Sequence, residues 1–106
     1  MVNVLENIPY GGENLGKRKL VDEKYLLVMQ VALEPGQGVP QHNANSNVHM
    51  LVLEGSVDID LDGSVIKALE GDMVRVKFKT PMRVENSSKE RASFLVIKTP
   101  HPDEMP

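Results

Sequence analysis

Val57, Ile59 and Leu61 alternate with Asp58, Asp60 and Asp62, and Gly63 follows at once. A strict period of two puts the apolar side chains on one face and the carboxylates on the other, the pattern of a strand buried on one side. Asp62-Gly63 is a hairpin signal, because glycine accepts the positive φ that tight turns require. Val65 to Leu69 then forms the returning strand, and Glu70-Gly71-Asp72 the next turn.

The same pattern extends along the chain in both directions. Tyr25 to Leu33 is a near-continuous apolar run stopped by Glu34-Pro35-Gly36; its β-branched residues and Pro-Gly stop favour a strand over a helix. Met50 to Leu53 form a short apolar strand before Gly55. Val74, Val76 and Phe78 alternate with Arg75, Lys77 and Lys79, so Met73 to Phe78 is a strand that Thr80-Pro81 turns. Met82, Val84 and Asn86 form another, and Phe94 to Ile97 the last. About seven short strands separated by Gly/Pro turns, with no helical period, predict an all-β sandwich or small barrel. Residues 1–106 form one domain, with the barrel at about 25–98, an N-terminal arm at 1–24 and a tail at 99–106. Val2, Val4, Leu5 and Ile8 are expected to form a short edge segment. Asp103 to Pro106 are expected to fray, and His101 to be solvated between its two prolines.

Composition narrows the function. The chain has no Cys, so disulfides and thiolate metal sites are excluded. Two Tyr, two Phe and no Trp leave the core to Val, Leu, Ile and Met. No apolar run approaches the ~20 residues of a membrane span, and the first residues lack the basic-then-apolar order of a signal peptide. A net charge of -3 offers no match to a phosphate backbone. A cytoplasmic protein with neither nucleic-acid nor membrane partners is expected. There is no Gly-x-Ser-x-Gly and no phosphate loop, so no catalytic residue can be assigned.

The order of strands and turns from Tyr25 to Ile97 resembles the cupin superfamily, small β-barrels of jelly-roll type. The family's first motif starts near a Pro-Gly turn, carries His-x-His and then Glu or Gln, and closes on a glycine that ends a strand. Here Pro35-Gly36-Gln37-Gly38-Val39-Pro40 leads to His42, and Val52 to Ser56 provides the closing Gly55. Counted back from Gly55, His42 holds the first His position, Ala44 the second and Val48 the Glu position. The longer spacing that the family allows puts His49 there instead, at the cost of missing the glycine by one residue. In the second motif Gly71, Asp72, Pro81 and Asn86 fall in place; Lys77-Phe78-Lys79 replaces a Pro-x-Gly turn, and Met82 replaces the histidine. The resemblance implies an all-β cupin-type jelly-roll β-barrel that pairs as a homodimer. It also implies a ligand set for Fe, Mn, Ni, Cu or Zn, of which only His42 stands in its expected position.

Two functions follow from these residues. The first is a small-molecule-binding or sensory barrel with an eroded metal site. Its ligand contacts would be His42, Asn43, Asn45, Asn47 and Met82, since neutral donors and acceptors can orient a ligand without metal. The second is a metal-dependent oxygenase or isomerase using His42, His49 and Met82, with the thioether a soft donor. The first is preferred, because Ala44 and Val48 stand in place of two ligands. Val28, Val39, Val52, Ile59 and Met82 are expected to line the cavity. If Val48 points inward, alternation sends His49 outward, unless a bulge between Asn43 and Asn47 reverses it. Arg75, Lys77, Lys79 and Arg83 form an exposed strand face, or else attract an anion to the mouth. Asp58, Asp60 and Asp62 lack the Gly and distal Glu of a calcium loop and form a solvated face.

Overall fold

A computed structural model describes all 106 residues. The chain forms nine strands: β1 (Gly16–Glu23), β2 (Leu26–Leu33), β3 (Gly38–Asn43), β4 (Val48–Glu54), β5 (Ser56–Leu61), β6 (Ser64–Leu69), β7 (Met73–Val76), β8 (Pro81–Glu85) and β9 (Ala92–Lys98). One sheet has the order β1-β2-β9-β4-β7 and the other β3-β8-β5-β6. The two sheets face each other across one core, in which Leu33, Met50, Ile59 and Phe94 are fully buried. No helix is long and apolar enough to cross a membrane.

The β5–β6 hairpin has the expected register, with Leu61 opposite Ser64 across Asp62-Gly63. Val57 and Ile59 are buried. Asp58 accepts hydrogen bonds from Ser87 and from Lys67 Nζ at 2.9 Å, and Asp60 Oδ1 accepts one from Gly63 N at 2.9 Å. These aspartates are therefore a solvated strand face with local partners.

Two strands lie outside the seven expected, and both are sheet edges. β1 lies in the stretch assigned to the arm and carries Lys17, Arg18 and Lys19; charged edges resist pairing with other chains. β3 runs through the motif segment that leads to His42, where no strand was expected, and contains Pro40, which an edge strand tolerates because one side of its backbone needs no partner. β7 stops at Val76, short of Phe78. Lys79 adopts φ 73°, and its N–H donates to Ala44 O at 2.8 Å. The positive φ survives where the family motif has glycine.

Both termini depart from expectation. Residues 2–8 form no edge segment; the arm crosses the outer face of the larger sheet. There Gln30, fully buried, donates through Nε2 to Val4 O at 2.8 Å and to Ser93 Oγ at 2.9 Å, and its Oε1 accepts from Arg18 Nε at 2.7 Å. Every polar atom of this side chain is satisfied, as burial demands. The chain after β9 folds back, and Asp103 and Glu104, expected to fray, belong to a short 3-10 turn. Ser46 Oγ donates to Pro100 O at 2.5 Å, and Thr99 N to Asn47 O at 3.1 Å. His101 is not solvated: its side chain is 17% exposed, with Nε2 3.0 Å from Asp22 Oδ1. The flanking prolines restrict the backbone, and Pro102 opens a short 3-10 turn capped by His101 Nδ1.

Candidate functional site

The site is built on a bulge in β3. Val39 pairs with Val84 and His42 with Met82, so three steps along β3 match two along β8. Without the extra residue Val39 and His42 would point to opposite faces. With it, both line a cavity of about 160 Å³ between the sheets.

Most of the wall is apolar. Met29 and Val31 come from β2, Met50 from β4, Met82 and Val84 from β8, and Phe94 and Val96 from β9. Of the lining residues expected, Val39 and Met82 are there. Val28 is not, because β2 alternates and turns Met29 and Val31 inward. Val52 and Ile59 are buried in the core but do not reach the cavity.

His42, Ala44, Val48 and Met82, the four positions that the cupin motifs assign to metal ligands, all line this one cavity. Counting from Gly55 therefore gives the correct phase. Among them only His42 is an imidazole and Met82 a thioether; the other two carry no donor. His42 is exposed, with Nδ1 2.9 Å from Pro40 O, so Nε2 is the ring atom left to accept. His49 sits between Val48 and Met50, which are buried and line the cavity, and alternation turns it to the other face, opposite Arg75 in the β4–β7 ladder. The bulge that could have reversed it lies earlier, between Val39 and His42. His42, His49 and Met82 thus do not converge. No group of three or more His, Asp or Glu side chains is arranged to hold a metal. This donor set does not fit a transition ion.

The Asn/Ser run divides into different roles. Asn45 lines the cavity. Asn43 is exposed and pairs with Pro81 in the ladder. Asn47 Oδ1 accepts from Phe78 N at 3.3 Å, tying the run to the turn after β7, and Ser46 holds the tail.

Of the two readings of the basic residues, exposure holds and a place at the mouth does not. Arg75, Lys77, Lys79 and Arg83 are exposed elsewhere. The cavity's cations are Lys17 of β1 and Lys98 of β9, which sequence reasoning missed. The available signal was phase: Phe94, Val96 and Lys98 fall on one face of β9, and ending that strand at Ile97 hid the lysine. Lys98 is half-buried and donates to Asn45 Oδ1 at 2.9 Å. Burial holds its pKa below the ordinary lysine value, and the charge of Lys17 adds to the effect. Ion pairs elsewhere use Lys19, Lys24, Lys67, Arg91 and His101; neither cavity lysine has a carboxylate partner. Lys17, His42, Asn45 and Lys98 all reach solvent and mark the mouth of the cavity.

Comparisons with known proteins agree with this architecture. The Cupin domain family matches residues 29–98. The uncharacterized protein MJ0764 of Methanocaldococcus jannaschii is 31% identical over 88 residues, covering 82% of this chain and 76% of that protein. The crystal structure of that same protein, described as an RmlC-like cupin family protein with a double-stranded β-helix fold, superposes with a TM-score of 0.82 at 26% identity, over 98% of this chain and 96% of that one. TT1209 from Thermus thermophilus superposes with a TM-score of 0.86 at 23% identity, over 94% and 96%. With two facing sheets, both motif glycines and all four motif positions turned into one cavity, the chain belongs to the cupin family.

Proposed function

We propose that this cupin is a cytoplasmic, homodimeric binding protein that takes up a small, mainly apolar molecule without a metal. The observation that carries this reading is the lining of the motif cavity, where apolar side chains occupy three of the four ligand positions and the polar groups, His42 among them, gather at the mouth. Such a site gains affinity from burying apolar surface and orientation from a few polar contacts. Homodimerisation rests on four exposed apolar residues along neighbouring free edges: Val65, Ile66, Leu69 and Met73 are 61%, 41%, 53% and 56% exposed. A second copy covering them is expected to double the mass measured by light scattering.

Binding is tested by titrating benzyl alcohol and 1-hexanol into the native protein and into Ala44→Leu. Ala44 lines the cavity, so a larger side chain there fills space that a ligand would use. Native binding that disappears in Ala44→Leu supports the reading; binding unchanged by Ala44→Leu, or none to the native chain, contradicts it.

A further inference from the structure

Resting on the binding reading above, we propose that the ligand is a small monocarboxylate, with its apolar body in the cavity and its carboxylate between Lys98 and Lys17. Lys98 is a half-buried cation whose one hydrogen-bond partner is the neutral amide of Asn45. Lys17 adds a second positive charge to the same lining. The protein as a whole carries -3, yet no carboxylate pairs with either lysine. Two like charges at the rim of an apolar cavity disfavour each other and oppose cation binding. An anion entering from the mouth removes both penalties and gains charge-assisted hydrogen bonds.

Size and charge define the class further. The cavity, at about 160 Å³, is close to the roughly 150 Å³ of an apolar cavity that accepts benzene. A body of about six to eight non-hydrogen atoms fits such a space. Of the two cations only Lys98 is half-buried and Lys17 is exposed, so the desolvated end of the site matches one negative charge, and a dianionic phosphate head costs more to desolvate. A short aliphatic or aromatic acid therefore satisfies both ends of the site, whereas a sugar phosphate leaves polar groups unpaired against Met29, Val31 and Phe94.

The test uses four kinds of probe in calorimetric titrations of the full chain: hexanoate and benzoate, 1-hexanol and benzyl alcohol, acetate, and inorganic phosphate. The acids are expected to bind at least roughly tenfold tighter than the matching alcohols, the range of a charge-assisted contact. Acetate and phosphate are expected to bind far more weakly than hexanoate. In Lys98→Met the preference for acid over alcohol should collapse while alcohol binding persists; Lys98→Arg should keep most of the preference. If Lys98→Met does not fold by circular dichroism, Lys98→Gln replaces it. Alcohols binding as tightly as acids would overturn the carboxylate assignment and leave cavity binding intact. Phosphate or acetate matching hexanoate would also overturn it, by reducing the site to a surface anion patch. No binding of any probe would overturn both the assignment and the cavity reading beneath it.

Discussion

His42 on β3 stands directly opposite Met82 on β8, and both line the same cavity as Ala44 and Val48. The backbone frame of a cupin metal site is therefore kept while most of its donors are replaced. Restoring them together (Ala44→His, Val48→Glu and Met82→His) should create a site for about one Zn²⁺ or Ni²⁺ per chain. The triple variant is expected to melt below the native protein without metal, because it buries polar groups, and to recover on metal addition. Calorimetry and thermal melts in the presence and absence of metal check this.

Lys98 should cost the ligand-free fold stability. Its folded pKa lies below the unfolded value, so the native state binds fewer protons between the lowered pKa and the ordinary ~10.4. Stability should therefore rise with pH through that window and be lowest below it. Lys17 and His42 are the other titratable groups lining the cavity. Lys98→Met should raise stability near pH 7 by about 0.5–1 kcal/mol, kept small by solvent screening, and should flatten the alkaline rise. Urea melts from pH 7 to 10.5 measure both.

Acid binding should follow the same charge in the opposite sense. Affinity for hexanoate should be greatest above the ligand's own pKa and below that of Lys98. It should fall as pH rises through the lysine pKa, because the bound anion holds the ammonium protonated. A flat titration profile across pH 7 to 10.5 would contradict a role for Lys98.

Lys79 has φ 73°, a left-handed conformation that costs a non-glycine residue roughly 1 kcal/mol. Lys79→Gly is expected to stabilise the protein by about 0.5–1 kcal/mol despite the added freedom of the unfolded chain. Gly55 is the converse case. It has φ 71°, and a Cβ there would overlap Arg91 O and lie 2.9 Å from Ala92 Cα. Gly55→Ala should cost at least about 2 kcal/mol, as strain and backbone overlap combine. Denaturant midpoints of the two variants should move in opposite directions.

The interior strands were legible in the sequence because each buries one face and so repeats with period two, β5 most plainly. The two missed strands are edges, where solvent removes the apolar period: β1 begins with Gly-Lys-Arg-Lys, and β3 carries Pro40 and three polar residues. The phase of the motif was also legible. Counting from Gly55 puts Val48 in the ligand position and, by simple alternation, His49 outward; the choice against a reversing bulge came from the ladder, where the bulge lies between Val39 and His42. The cavity lysines were not found, because they depend on where β9 ends and on β1 existing at all. His101 was misjudged for a related reason: its partner Asp22 lies on that unforeseen strand.

The metal content of the native chain and of His42→Ala, each purified after growth in medium supplemented with Mn, Fe, Ni, Cu and Zn, tests the central claim most directly. A metal-free apolar site predicts substoichiometric metal in both proteins, with no difference between them. One equivalent of a transition metal in the native chain, lost in His42→Ala, would contradict it.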